Sequence, residues 1–521
     1  MKKMTFKALL ERDSLEDLCR EQAFDVIGVL IDHAHDAAAP DLAERALAFA
    51  DALEARGLSA GELALLDYFR ANGWSCLYAC RRSNTQAVWS WDQPEIQEQI
   101  YFLRRALRGP GFDALPIQRR CEILTNLANQ FDTVGRFIEA QEYWTRALAL
   151  EPFFWMARGN RGRGLMHYAN VLYDPGHRAV LARQAHGDLL AALVASDMRP
   201  DLGHSSVPPM FSRSAADIGR EFDVEAIERS FDPDEPSLAS LGEVAYRQWC
   251  LDQRLFLNPL NDAMARPIAA RDILGLPGFT TALNEPPIVV GLFNGLKQEY
   301  VSARWILHCG RNAFEAHPSD REVGLYNTLD YPVYGLRVEQ LKLAFRMAYS
   351  LFDKIAYFLN HYLALGVPRN AVSFRSIWRD KKTGTLRPLF EESENWAFRG
   401  LFWIGKDLFE EGARSVAEPD AEDLATLRNH LEHKYVKVHE MVPPKPILIE
   451  RRRDPHFDDL AYALSYAELE AKTLRVLKLA RSALTCLSLG MHIHERKKAA
   501  TAAGSDIIVP MLLTLLPDGP E

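Results

Sequence analysis

The sequence has few cysteines, and none of them has the spacing of a redox or zinc motif. Seven are scattered over 521 residues, and the one close pair, Cys76 and Cys80, is spaced i, i+4 rather than as CxxC. Because most of the seven lie in apolar helical patterns, they are predicted to be buried free thiols without disulfides.

Long uncharged apolar runs are missing as well. No run reaches the roughly 18 residues that are needed to span a bilayer. Residues 1–11 lack the apolar core and the small-residue cleavage site of a secretory signal. These features predict a cytoplasmic protein without a membrane segment.

An excess of positive charge is also absent. The chain has 70 Asp and Glu against 61 Lys and Arg, for a net charge of -9, which excludes a protein that coats nucleic acid through its overall charge. Any site for a polyanion must therefore be local. The composition, 48% hydrophobic and 25% charged, is that of a globular protein, and the length predicts two to four domains.

Helical periodicity dominates residues 1–195. Helices are predicted there at 15–37, 42–56, 61–82, 95–108, 118–134, 138–149 and 155–172. The fifth and sixth resemble a tetratricopeptide (TPR) repeat in the spacing of Leu124, Leu127, Ala128, Phe131, Ala140, Trp144, Ala147 and Pro152. Asp174, Pro175 and Gly176 are predicted to interrupt the next repeat, so the predicted repeats are irregular.

Residues 158–164 alternate arginine and glycine and look like a phosphate loop. However, no GxxxxGK[ST] motif follows a strand anywhere in the chain. The glycines are instead predicted to be close-packing positions on a repeat helix, with solvated arginines beside them.

The rest of the chain divides into three parts. Residues 196–333 are predicted to be a linking region of short helices and loops. Residues 334–498 are predicted to be a four-helix bundle, with helices at about 334–366, 396–412, 419–440 and 458–494. Residues 499–521 form a C-terminal tail. The predicted fold class is therefore all-α.

The third bundle helix has two chemically different faces. At 3.6 residues per turn, one stripe collects Leu424, Leu427, Leu431, Tyr435 and Val438, which predicts a core face. The opposite arc carries a polar set: Arg428, Asn429, Glu432 and His433. An arginine, an amide, a carboxylate and an imidazole thus share one predicted surface.

Two basic stretches flank this helix. Residues 369–387 carry a net charge of +5 and residues 428–453 a net charge of +4. Beside aromatic side chains, such stretches are suited to bind an RNA backbone. The candidate RNA contacts are Arg375, Arg379, Lys381, Lys382, Lys434 and Lys437. The alternative is that these are solvated loops that pair with acidic surface elsewhere.

An arginine followed five positions later by a histidine occurs three times, but in two cases Pro200 or Pro455 breaks the helix between them. The third case, Arg428, Asn429 and His433, resembles the signature of the HEPN superfamily of metal-independent ribonucleases, which lies near the start of the third helix of a four-helix bundle. The resemblance covers about residues 334–494 and predicts a HEPN-like bundle.

The resemblance implies an endoribonuclease in which Arg428 and His433 are catalytic and Asn429 orients the imidazole or the phosphate. It implies RNA as the substrate, a 2′,3′-cyclic phosphate product, no metal and no cofactor, and a homodimer whose two motifs face each other across a cleft. A TPR-like region ahead of a HEPN bundle resembles one prokaryotic branch associated with RNA-targeting stress responses, toxins and antiphage defence. A protein partner or trigger would act at the repeats.

The residue types suit this chemistry. Cleavage without a metal needs a base for the 2′-OH proton, an acid for the 5′-oxygen and a cation for the phosphorane. A histidine can hold or release a proton near neutral pH, and an arginine offers a planar fork of N–H donors to phosphate oxygens.

Three alternatives stay open. His430 and His433 could bind a metal with Glu432 or His439, although neither HExxH nor HxxEH is present. His433 could be an ordinary surface histidine. The TPR-like part could be a protein-binding scaffold, with the bundle a catalytically silent dimerisation module.

Overall fold

The computed structural model describes residues 10–81, 89–108, 110–229, 240–281, 285–313, 315–409, 421–440, 458, 460–501 and a few positions after 510. Within these residues almost all regular structure is helical, so the predicted all-α class is confirmed. No helix in the described part of the chain combines the length and the low charge that crossing a bilayer requires.

The N-terminal block consists of antiparallel helices in chain order. Their bounds are α1 Arg20–Ala37, α2 Pro40–Glu54, α3 Ala60–Arg81, α4 Pro94–Leu107, α5 Ile117–Thr133, α6 Phe137–Leu150, α7 Trp155–Asn170 and α8 Pro175–Met198. The seven predicted helices are confirmed, with boundaries that differ by a few residues. The residues of the TPR-like spacing in α5 and α6 are buried.

The sequence around Asp174 begins a helix instead of interrupting one, so that prediction was wrong. The Asp174 carboxylate accepts a hydrogen bond from the backbone N–H of His177 at 2.7 Å, and Pro175 occupies the first turn of α8. An aspartate cap followed by proline at the first helical position is a start signal.

The glycines of residues 158–164 are packing positions, as predicted, but Arg161 is not a solvated arginine, because its guanidinium pairs with the buried Asp188 at 2.7 Å. Gly159 lies against the ring of Phe211, and Gly164 lies against the ring of Trp144. A side chain at either glycine would overlap these rings, so the segment serves the fold of the repeat block.

The described part of the linking region includes, in chain order, the helices α9 Pro208–Glu221, α10 Val224–Arg229, α11 Leu241–Asp252 and α12 Ile288–Asn312, with a single turn at Leu260–Ala263 before the last of them. The last of these is long and packs against the first bundle helix, to which Glu299 is joined by an ion pair with Lys354. Near its other end, Gly310 lies against Arg337 and Leu341.

The bundle helices are α13 Leu336–Tyr362, α14 Trp396–Phe409, α15 Ala421–His433 and α16 Tyr466–Thr501. The predicted ends at 410–412 and 419–420 lie outside the described residues, as does most of the tail. The middle of α16 is buried on nearly every side, which makes this helix the centre of the bundle.

The repeat block and the bundle share one core. The turn between α5 and α6 packs directly on α14, where Gly135, at φ +89°, lies against the backbone of Trp396 and Gly400. Beside it, the Asp407 carboxylate is fully buried and accepts hydrogen bonds from Arg104, at 3.0 Å, and from Arg136. These contacts join the two halves through backbone packing and buried charge.

All seven cysteines are free thiols. Cys76, Cys121, Cys250 and Cys486 are buried, as predicted, whereas Cys80 and Cys309 are partly exposed and Cys19 is exposed. Burial raises the pKa of the Cys76 and Cys121 thiols to about 11, which disfavours the reactive thiolate.

Candidate active site

Both ends of α15 are fixed to neighbouring elements. At its first turn, Asp423 accepts hydrogen bonds from the Tyr462 hydroxyl at 3.0 Å and from Lys472 Nζ at 2.6 Å. Burial works against the charged form of Asp423, but these two donors hold its pKa below the ordinary value. The start of α15 is therefore joined to the segments around residues 462 and 472.

The helix ends at His433, not at residue 440 as predicted. Strand β1, Val436–His439, follows it and pairs in parallel with β2, Tyr462–Ser465, so the fourth helix begins at 466 rather than 458. Val436 and Val438 are β-branched and suit a strand. Tyr435 is 40% exposed, whereas Val438 is buried as predicted but lies in the strand, so the helical part of the core stripe ends at Leu431.

Within α15, the predicted division into two faces is present. Leu424, Leu427 and Leu431 are buried, whereas Arg428 is half-buried and Asn429 and His433 are exposed. Among the described residues, none of the three polar side chains has a hydrogen bond or ion pair. They are therefore not occupied by structural contacts in this part of the chain.

Arg428 lies near Tyr349 of α13, which sequence reasoning did not place in the site. Burial raises the pKa of Tyr349 to about 12, while the charge of Arg428 opposes this shift and that of Asp353 adds to it. Asp353 also accepts a hydrogen bond from the backbone N–H of Phe374 at 2.9 Å. Tyr349 and Asp353, spaced i, i+4, thus lie on the same face of α13.

The C-terminal end of α15 is capped by a side chain from α13. The Arg346 guanidinium donates a hydrogen bond to the carbonyl of Leu431, one of the last four carbonyls, which have no partner within the helix. The charge also lies at the negative end of the helix dipole. Arg346 therefore fixes the turn that carries His433.

Replacing Arg346 with methionine should lower the free energy of unfolding by about 1–2 kcal/mol, because the carbonyl of Leu431 loses a charged donor. Hydrogen exchange should become faster in residues 421–433, as measured by mass spectrometry. Lys354→Met on the same helix, which breaks a surface ion pair with Glu299, is the matched control. Equal exchange of residues 421–433 in both variants would refute this role for Arg346.

The predicted RNA contacts do not form one surface. Lys437 is buried and pairs with Asp330 at 2.7 Å and Asp458 at 3.2 Å, so it is withdrawn as an RNA contact. Arg379 pairs with Asp92 of the repeat block at 3.0 Å.

The remaining four predicted contacts are exposed: Arg375, Lys381, Lys382 and Lys434. Arg375 follows Phe374, whose backbone is bonded to Asp353, and Lys434 follows α15 directly. Lys434 is thus adjacent to the motif in the chain, whereas Lys381 and Lys382 lie in a turn closed by Asp380. Residues 441–453 of the second basic stretch lie outside the described residues.

The residues of the metal alternative are not brought together. His430 is turned away from His433, since its Nδ1 lies 2.8 Å from the Thr426 carbonyl and its ring packs on Tyr462 at 5.4 Å. No cluster of three histidine, cysteine or acidic side chains in the described ranges has metal-binding geometry.

Comparison with known protein families gives a match in the C-terminal part of the chain. Residues 280–495, about two fifths of the chain, match the model of a family described as LA2681-like HEPN. The match supports placing this part of the chain in the HEPN superfamily, and it includes α12, ahead of the predicted boundary at residue 334. It does not extend over the repeat block, so the TPR resemblance stays a prediction. No curated protein and no solved structure shows significant similarity to the chain.

Proposed function

We propose that the chain is a metal-independent endoribonuclease of the HEPN type, with a composite site formed by two copies of the bundle. The observation that supports this most is the position of the motif side chains and their lack of bonding partners among the described residues. Arg428 and His433 lie on the outward face of a fixed helix inside the HEPN-matched segment, without hydrogen bonds or ion pairs to other described residues.

In the proposed reaction the 2′-oxygen of RNA attacks the adjacent phosphorus, and the bond from phosphorus to the 5′-oxygen breaks. One imidazole takes the 2′-OH proton and another gives a proton to the leaving oxygen. Arg428 binds the non-bridging oxygens, where negative charge accumulates. Asn429 donates a hydrogen bond to the phosphate or accepts one from the imidazole. The products carry a 2′,3′-cyclic phosphate and a 5′-OH.

One copy of α15 supplies one histidine for this reaction, because His430 packs against Tyr462. His433 is exposed, and an open site would also leave the reacting phosphate in water. A second copy of the motif would provide the second imidazole and close the cleft. RNA-targeting in a stress response or in antiphage defence, with a trigger at the repeats, is the setting that the family resemblance suggests.

The basic test is incubation of the intact chain with tRNA and mRNA in EDTA. We expect cleavage in EDTA, with 2′,3′-cyclic phosphate ends detected by a block to polyadenylation that phosphatase alone does not relieve, but that acid hydrolysis followed by phosphatase does. Cleavage that stops in EDTA would contradict a metal-free mechanism. The absence of cleavage on any RNA would favour the scaffold alternative.

A shared site predicts that an inactive copy suppresses an active one. With a ninefold excess of the His433→Ala variant and time for subunit exchange, the activity per wild-type copy should fall about tenfold, since most wild-type copies then lie in mixed dimers. The same excess of serum albumin is the control. Activity that falls only as in that control, or a monomer in light scattering at micromolar concentration, would contradict the shared cleft.

A further inference from the structure

Four aromatic side chains form a cluster on the surface of α11 and α12, away from the Arg428 motif. Its members, here called the aromatic platform, are Tyr246, Trp249, Trp305 and His308. The Trp305 and His308 rings are nearly parallel, at 28° and 5.8 Å between centroids, and the Tyr246 and Trp305 rings are nearly perpendicular, at 87° and 4.9 Å between centroids. Trp249 lies 5.1 Å from His308.

The platform rests on a rigid support. Arg304 is buried, forms a two-bonded ion pair with Asp272 at 2.8 and 2.6 Å, and donates a third hydrogen bond to the Tyr246 hydroxyl at 2.8 Å. The Tyr246 ring in turn packs against Trp305. Because the rings are held before any ligand arrives, binding to them would cost little conformational entropy.

The outer ring is open to solvent. Trp305 is 49% exposed, an unusual state for the largest aromatic side chain. Arg311 lies over Trp249 at 5.5 Å and is paired with Glu470 at 2.9 Å. Since this cation already has an anionic partner, the surface offers ring stacking more than net positive charge.

Along the axis of the bundle, the aromatic platform and the Arg428 motif lie at about the same height. The helix α12 runs antiparallel to α13, with Gly310 against Arg337 and Glu299 paired with Lys354, so Trp305 lies beside the middle of α13. The same part of α13 contacts the end of α15 through Arg346. Two helix spacings, about 20 Å in all, separate the platform from the motif.

We propose that Trp305 and the rings beneath it form a stacking site for unpaired bases of RNA, which anchors a strand whose other part reaches the Arg428 motif. The proposal rests on the ribonuclease function for its connection to the motif. Stacking on an exposed aromatic ring accepts any base, so the site would select single-stranded over double-stranded RNA without reading sequence. The exposed face of α13 between platform and motif, which includes Leu343 and Tyr357, would lie under the strand.

The test uses the intact chain and a 12-nucleotide 2′-O-methyl RNA, which cannot be cleaved by 2′-oxygen attack. Trp305→Ala should weaken binding in fluorescence anisotropy by about 10- to 100-fold, the usual range for the loss of one stacked base. Trp305→Phe keeps a ring and should stay close to wild type. Phe153→Ala, which removes a comparably exposed ring from the repeat block, should have no effect.

A second readout separates this site from the catalytic one. Trp305→Ala should lower kcat/KM for long RNA but leave cleavage of a dinucleotide unchanged, because a dinucleotide cannot span about 20 Å. If no RNA is cleaved but Trp305→Ala still weakens oligonucleotide binding, the ribonuclease proposal fails and the platform stands. Binding that is equal in Trp305→Ala and wild type, or reduced equally for a blunt RNA duplex, would overturn the platform.

Discussion

Replacing His433 with alanine should lower the rate of RNA cleavage by about 10²- to 10⁴-fold, the range for loss of a general acid or base. In a shared cleft both copies of the imidazole disappear, so the upper part of the range is expected. The side chain is exposed and has no hydrogen bond among the described residues, so the variant should fold as the wild type does. The measurement is single-turnover cleavage in EDTA together with thermal unfolding.

Variants of Arg428 test the same site through a different chemical group. Arg428→Ala removes the cation, whereas Arg428→Lys keeps a charge but loses the planar fork, so we expect both to be impaired and lysine to recover only part of the rate. Full activity in Arg428→Lys would show that charge alone suffices.

The matched control is His35→Ala, because His35 is also an exposed histidine on a helix but lies in the repeat block. It should cleave RNA at the wild-type rate. Unchanged cleavage in both His433→Ala and Arg428→Ala would remove the proposed site, whatever the control shows. Loss of activity together with a lower unfolding temperature in His433→Ala would instead indicate a structural role.

Local patterns were sufficient to predict the helices and the polar face of α15, because apolar spacing records which side of a helix is buried. They failed where tertiary pairing decides the structure. Tyr435 and Val438 continue the helical spacing, yet the backbone of Val438 accepts a hydrogen bond from Val333, and β1 pairs with a strand that begins at Tyr462. Because these hydrogen-bond partners lie far away in the sequence, the spacing of apolar residues within one segment does not indicate them.

The surroundings of the motif were not predictable for the same reason. Arg346 and Tyr349 lie about 80 positions before Arg428 in the chain, and only the packing of α13 on α15 brings them close to this helix. Lys437 shows the converse, since a lysine in a basic stretch reads as a surface cation until Asp330 and Asp458 are found beside it. Charge counted along the chain does not report which charges are already neutralised.

Replacing Asp407 with alanine should lower the free energy of unfolding by about 3–5 kcal/mol, the range for removing one member of a buried ion pair. Asp407 has no exposed surface and is shared by Arg104 and Arg136, which come from the repeat block, while Asp407 itself lies on α14. The loss should appear as a lower urea midpoint by circular dichroism.

The expected loss of stability is large because the charges are buried. Breaking an ion pair at the surface tests this explanation. Glu299→Ala breaks the half-exposed pair with Lys354 and should change stability by less than about 1 kcal/mol. Asp407→Asn, which keeps the shape and one acceptor, should fall between the two. If Asp407→Ala unfolds at the same urea concentration as Glu299→Ala, the buried charges do not hold the repeat block on the bundle, and the aromatic and glycine contacts around Trp396 and Gly135 must do so instead.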